Sequence, residues 1–201
     1  MLQPNRVDLD GHLIHFTKPT EDHSALEVLL KIVHEKRLLG GTGFVKGKEH
    51  CVSFTEAPLD ILMRPGCGSH HGARYSCFGL RFRKNQICKL GGMPVKHQSE
   101  GDYFAMDPEH RWRHVRFELD RNPPSDWRWE LEWRLRCKEF SFEHKQVEII
   151  LPSAAEERIF RTAISTYSYY RAWPHTQILE DNGLMYLEAD RWRVLSASVN
   201  N

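Results

Sequence analysis

The stretch Trp127-Arg128-Trp129-Glu130-Leu131-Glu132-Trp133-Arg134-Leu135-Arg136 constrains the fold more than any other. Large apolar and charged residues alternate along it without a break. Side chains of a strand project to opposite faces with a period of two, so the pattern predicts a β-strand. One face would carry Trp127, Trp129, Leu131, Trp133 and Leu135 and would have to be buried. The other would carry Arg128, Glu130, Glu132, Arg134 and Arg136. A charged strand face is usually only a solvated one. Here the apolar anchors would hold the strand firmly, as an accurately placed site requires. Two carboxylates on neighbouring like-facing positions repel, and Arg128 and Arg134 are near enough to compensate. A glutamate held among arginines can bind a ribose hydroxyl and stabilise developing positive charge.

The rest of the chain sets the context. A length of 201 residues suits one large domain, and 40% hydrophobic with 27% charged residues is ordinary for a globular protein. A formal net charge of +1 provides no global field to attract nucleic acid or an anionic membrane. No apolar run approaches the length of a membrane span, and the N-terminal residues lack the basic and apolar regions of a signal peptide. Five irregularly spaced cysteines fit free thiols in a reducing compartment better than a disulfide framework. The expectation is a cytoplasmic, single α+β domain over residues 1–201, with no membrane partner.

In chain order, residues 13–17 (Leu-Ile-His-Phe-Thr) read as a strand with Leu13, His15 and Thr17 on one face. Ser24 and Glu27 form a capping-box signature before a helix over 25–39, which Gly40-Gly41 would close. Residues 50–55 read as a second strand that turns off at Pro58. Residues 64–74 have turn composition, and 75–83 read as a third strand. An edge strand follows at 93–97. Residues 111–119 fit helix or strand equally, and the Pro123-Pro124 pair is a break. Residues 140–145 read as a turn, 147–151 as a buried strand and 154–165 as a helix. Irregular strand and turn would fill the remainder.

Other chemistry is weaker. Cys67, His70, His71 and Cys77 are residue types that suit zinc, but their spacing matches no strong zinc signature, and no metal is expected. Residues 111–136 interleave arginines with four tryptophans, a pattern that can track a phosphate backbone and stack bases. Glu118, Asp120, Asp126, Glu130 and Glu132 dilute that charge, and the tryptophans of the strand suit a core. The signatures of P-loop nucleotide hydrolases, dinucleotide-binding oxidoreductases, zinc peptidases and α/β-hydrolases are all missing.

The order of these stretches resembles a known family. A strand bearing His15 is followed by a helix, by Val52-Ser53-Phe54-Thr55-Glu56-Ala57-Pro58-Leu59, by Tyr75 to Phe82, by Gly92-Met93-Pro94-Val95 and by Trp129-Glu130-Leu131-Glu132-Trp133-Arg134. This resembles the bacterial abortive-infection AbiGi-like proteins and, more distantly, the DarT-type ADP-ribosyltransferases of toxin–antitoxin and phage-defence systems. The resemblance covers residues 12 to about 151, and the FTEAPL and ELEWRL stretches are its most specific parts. It implies a split, two-sheet ADP-ribosyltransferase core with flanking helices and with NAD, as substrate, in the cleft. Residues 152–201 would be a C-terminal helix and extension. Carried over by motif, His15 would contact the NAD ribose and nicotinamide region. Ser53 or Thr55 would support the cleft, and Glu132 would bind the hydroxyl beside the scissile glycosidic bond. Glu130 is the alternative acid, or the group that orients the acceptor. The implied NAD-binding set further includes Phe16, Thr17, Phe54, Tyr75 and Arg134. The strands at 13–17, 50–55 and 128–136 should then converge on one cleft. The implied activity is transfer of ADP-ribose to RNA, DNA or protein by a toxin or abortive-infection effector with a neutralising antitoxin. The alternatives are an NAD glycohydrolase, with water as acceptor, and a non-catalytic nucleic-acid or partner-binding module on the same fold.

Overall fold

A computed structural model describes residues 11–62, 76–172 and 192–196. In chain order the elements are β1 (His12–Phe16), α1 (Ala25–Glu35), β2 (Arg37–Leu39), β3 (Cys51–Thr55), α2 (Leu59–Leu62), β4 (Gly79–Arg83), α3 (Lys84–Lys89), β5 (Met93–Pro94), β6 (Lys96–Gln98), α4 (Glu100–Ala105), β7 (His114–Arg116), β8 (Glu132–Arg136), β9 (Glu139–Ser141), β10 (Val147–Leu151), α5 (Ala154–Ala172) and β11 (Arg193–Ser196). Short 3-10 turns join several of them. Strands and helices mix in the α+β manner. By Cα packing the chain forms two units. One comprises Met1–His15, Leu38–Ile61 and Phe82–Phe140, and the other comprises Phe16–Arg37, Leu62–Arg81 and Ser141–Asn201.

The first unit is organised by an antiparallel sheet in the order β1-β3-β8-β5. Strand β3 pairs with β8 over five residues, from Cys51 opposite Arg136 to Thr55 opposite Glu132. Ile14 of β1 lies opposite Thr55, and Met93 of β5 lies opposite Arg134. Cross-strand partners share a face. One face therefore carries Val52, Phe54, Trp133 and Leu135, and its rings stack into the core. Phe54 meets Phe82 edge to face at 5.8 Å, and Phe82 meets Phe140 at 5.3 Å. The other face carries Ser53, Thr55, Glu132, Arg134 and Arg136. Beyond β5, strand β6 runs parallel to β7, with His97 opposite Val115. Gly40 donates to the Lys138 carbonyl at 2.9 Å. A Cβ at Gly40 would fall 2.0 Å from the Cys137 carbonyl oxygen, so only glycine allows the backbones this close.

The second unit pairs β10 in parallel with β11, from Glu148 opposite Arg193 to Leu151 opposite Ser196. Ile149, Ile150 and Leu151 are fully buried, which is how a strand covered on both faces reads. Helix α1 begins with the capping box read from the sequence: the Ser24 side chain accepts from the Glu27 N–H, and the Glu27 carboxylate accepts from the Ser24 N–H. Its apolar stripe places Leu29 and Val33 in the core. α1 also packs against α5.

Several sequence expectations are corrected. The ten-residue alternation is not one strand. Arg128–Glu130 is a 3-10 turn, Leu131 adopts the left-handed conformation at φ 45°, and the strand starts at Glu132. The cause is local. The Asp126 carboxylate accepts from the Arg128 backbone N–H at 3.0 Å and pairs with the Arg128 guanidinium, which nucleates a turn. Glu130 and Glu132 are therefore not like-facing neighbours. Helix α1 stops at Glu35, not at residue 39, because Lys36 turns left-handed at φ 52° and its carbonyl accepts from the Phe142 N–H. Residues 37–39 and 139–141 pair as strands where helix and turn were expected. Residues 111–119 divide between the turn Pro108–Arg113 and β7. Strand β4 starts at Gly79 and α5 continues to Ala172. The expected turns at 64–74, the start of the third strand at Tyr75 and the tail segments at 178–187 lie outside the described residues.

Candidate active site

The first unit places three polar side chains in direct contact. Ser53 is the exposed residue of β3, between buried Val52 and Phe54. Its hydroxyl donates to Glu132 Oε1 at 3.0 Å. Arg134, two residues along the same face of β8, donates from Nε to Oε1 at 2.8 Å and from Nη2 to Oε2 at 3.2 Å. Arg134 is held from behind, its Nη1 donating to the Trp112 carbonyl at 2.6 Å and to the His114 carbonyl at 3.3 Å. The arginine side chain is 4% exposed and the Glu132 side chain 14%. A guanidinium so desolvated needs its carboxylate, and breaking such a pair costs about 3–5 kcal/mol. Glu132 is thereby held in one orientation with an edge still open. Three hydrogen bonds occupy Glu132, leaving one of a carboxylate's roughly four acceptor positions, on Oε2, for an incoming hydroxyl.

The backbone around Glu132 is clamped as well. Thr55 Oγ1 donates to the Glu130 carbonyl at 2.6 Å, and the Glu56 N–H donates to the Leu131 carbonyl at 3.1 Å. On the opposite face Trp133 Nε1 donates to Glu56 Oε2 at 2.9 Å. Lys84 pairs with the other oxygen of Glu56 and lies 4.8 Å from the centre of the Trp133 ring. Val95 of the β5–β6 connection donates its N–H to the Glu132 carbonyl at 3.0 Å.

The other expected site residues divide. His15, next to Ile14 on β1, falls on the face of Phe54 and Trp133, away from the Glu132 carboxylate. Its ring meets Phe54 at 6.0 Å, and its Nδ1 lies 2.8 Å from the Ser53 carbonyl. The expected convergence on one cleft is corrected: the three strands are adjacent in the sheet, but His15 and Glu132 project from opposite faces, because Ile14 and not His15 is in register with Thr55. Phe54 is core. Thr55 is buried, its hydroxyl spent on the Glu130 carbonyl and accepting from the Ala57 N–H. Glu130 is buried in its turn. Phe16 and Thr17 belong to the second unit, where Thr17 is buried with its hydroxyl 2.9 Å from the Ala25 carbonyl and 3.1 Å from that of Phe78. Tyr75 lies outside the described residues, as do Cys67, His70 and His71 of the zinc alternative.

Sequence reasoning missed Glu56, Lys84 and the carbonyls of Trp112 and His114. The first of these stood in view, inside the FTEAPL stretch. His97, on β6 beyond the Glu132 contact, has its pKa lowered by burial, which the Glu132 and Asp126 carboxylates partly oppose. Burial pushes the Cys51 thiol, opposite Arg136, up to about 11. It stays protonated at neutral pH and supplies no thiolate nucleophile. Among the described residues no cluster of metal-ligating side chains occurs, and no helix is long and apolar enough to cross a membrane.

No family model, curated protein or solved structure matches the chain.

Proposed function

We propose that the chain is an NAD-dependent ADP-ribosyltransferase, with an ADP-ribosyltransferase-like core and with Glu132 as the catalytic carboxylate. The observation that carries this reading is the Ser53–Glu132–Arg134 contact: a carboxylate fixed by a buried guanidinium and an exposed hydroxyl, with one acceptor position to spare. The order of the motif stretches around it supports the same reading.

In the reaction, NAD binds with a ribose hydroxyl on Glu132. The bond between the ribose C1′ and the nicotinamide nitrogen breaks, and the nitrogen keeps the electron pair. Positive charge develops on the ribose ring. A carboxylate fixed beside it stabilises that charge more in the transition state than in the ground state, where the charge is on the nicotinamide. The acceptor's lone pair then bonds to C1′ and its proton leaves. Arg134 keeps the carboxylate aimed, so little reorganisation is needed as charge develops. His15 serves in this reading as a positioning residue that joins β1 to the carbonyl of Ser53.

The acceptor is a nucleic acid or a protein, and the biological role is that of a cytoplasmic toxin or abortive-infection effector restrained by a partner protein. The experiment is incubation of the purified chain with NAD labelled in the adenylate and with cell lysate, followed by nuclease or protease digestion. Label that becomes macromolecular, and is released by only one digestion, identifies both activity and acceptor class. Nicotinamide release without macromolecular label would make the chain a glycohydrolase. No nicotinamide release at all would end the reading.

A further inference from the structure

We infer that Thr55 and Glu56 form a clamp whose task is to hold the Glu132 carboxylate in register, making both of them positioning residues for the reaction proposed above, on which this inference rests. Strand β8 begins abruptly. Leu131 sits in the left-handed conformation at φ 45°, which is costly for a branched side chain, and Glu132 follows at once as the first strand residue. A carboxylate on the first residue after a strained turn would fray with the strand end unless the turn were held from outside.

The Thr55-Glu56 dipeptide grips both sides of that junction. The Thr55 hydroxyl bonds the Glu130 carbonyl at 2.6 Å, and the Glu56 N–H bonds the Leu131 carbonyl at 3.1 Å, so the two peptides before Glu132 are fixed. After Glu132, the Trp133 indole donates to Glu56 Oε2 at 2.9 Å. The same Glu56 is held by Lys84, and its side chain is 9% exposed. The Thr55 hydroxyl is itself oriented, because it accepts from the Ala57 N–H at 3.0 Å. Neither Thr55 nor Glu56 makes any of these bonds to the Glu132 carboxylate. They act through the backbone carbonyls of residues 130 and 131 and through the Trp133 side chain, from both faces of the strand. The ladder between β3 and β8 pairs Glu132 with Thr55 and ends at the Glu56–Leu131 bond. Beyond it, the Thr55 hydroxyl on the Glu130 carbonyl and the Glu56 carboxylate on the Trp133 indole hold the turn and the strand start from both faces.

The test replaces the clamp and reads both chemistry and backbone order. Thr55→Val keeps the shape and removes the hydroxyl. It is expected to lower kcat for nicotinamide release by about tenfold to a hundredfold, the cost of a misplaced catalytic group, with KM for NAD changed by less than about threefold. Thr55→Ser restores the rate. Glu56→Gln keeps an acceptor for the indole and loses the Lys84 ion pair, so its rate falls less than that of Thr55→Val. Hydrogen exchange of the amides at 131–134 is expected to quicken in both impaired variants, while those at 52–54 keep their protection. Folded Thr55→Val with wild-type kcat, or with unchanged exchange at 131–134, overturns the clamp. If Thr55→Val does not fold, Glu56→Gln decides in the same way. If wild-type protein releases no nicotinamide, the transferase reading fails, and the exchange measurement still decides whether the clamp orders residues 131–134.

Discussion

Replacing Glu132 by glutamine takes a charge away from Arg134 as well as from the site. The amide has nearly the same shape, but it presents an NH2 group where Arg134 now finds a second oxygen. Arg134 keeps the Trp112 and His114 carbonyls, so the chain is expected to fold. Its stability should fall by about 3–5 kcal/mol, the cost of leaving a buried charge without its partner, read from urea unfolding. Nicotinamide release by Glu132→Gln should fall by about 10²–10³, the scale for losing a group that stabilises transition-state charge. Both effects must appear together. A variant as stable as wild type would contradict the buried pairing, and one as active would remove Glu132 from the chemistry.

At the scale of elements, the site depends on how closely the start of β3 and the outgoing end of β8 can lie against the segment that precedes β3. Gly40 is the tightest point, with the Cys137 carbonyl 2.0 Å from where a Cβ would be. Its N–H donates to the Lys138 carbonyl at 2.9 Å, and the neighbouring Gly41 exchanges both hydrogen bonds with Cys51 at 3.0 Å. Gly40→Ala must therefore push β8's outgoing end away from β3. The expected loss is about 1–3 kcal/mol, typical of overpacking, seen as a lower urea midpoint with an unchanged slope. Gly41 has nothing within 4 Å of its own Cβ position, so Gly41→Ala is the control and should leave the midpoint nearly unmoved.

For the molecule as a whole, a formal charge of +1 at pH 7 means that near neutrality pH acts through particular pairs; in acid, general repulsion among the protonated basic groups adds to the loss of such pairs. Glu100 accepts from Lys46 and Arg116, and these bonds hold its carboxyl down at about 2. Asp126 is likewise held at about 2 by the Arg128 side chain and backbone. A carboxylate whose pKa is lowered by folding adds stability above its unfolded value and loses it as pH falls through its folded value. Stability should therefore decline between about pH 4.5 and pH 2. Both pairs are solvent-facing, so salt should blunt the effect, and Glu100→Gln should flatten the acid limb of a thermal-melt series. The proposed activity adds a cellular expectation. Uncontrolled NAD consumption or target modification should arrest growth on expression, while Glu132→Gln should be tolerated. Wild-type protein that accumulates freely in growing cells without a partner would count against the toxin role.

The local parts of this structure are legible in the chain. The Ser24–Glu27 capping box, the alternation of β3 and the apolar run of β10 each depend on neighbours in sequence, and each forms where it reads. The resemblance implied that the motif strands share one cleft; they lie side by side, but their expected site residues do not share a face. What the sequence could not settle is which face each side chain takes. That depends on register between strands, and a shift of one residue moves every side chain to the other side. Ile14, not His15, lies opposite Thr55, which sends His15 to the Phe54 face and leaves Glu132 with Ser53 and Arg134. Nor could alternation say where β8 begins. Asp126 turns the chain locally, and Thr55 and Glu56, some seventy-five residues earlier, hold the turn closed. In the sequence Arg134 is a charge near enough to compensate the glutamates, and the resemblance places it in the NAD-binding set. Tertiary packing buried it by bringing the Trp112 and His114 carbonyls to its guanidinium, and so made its partner a fixed carboxylate.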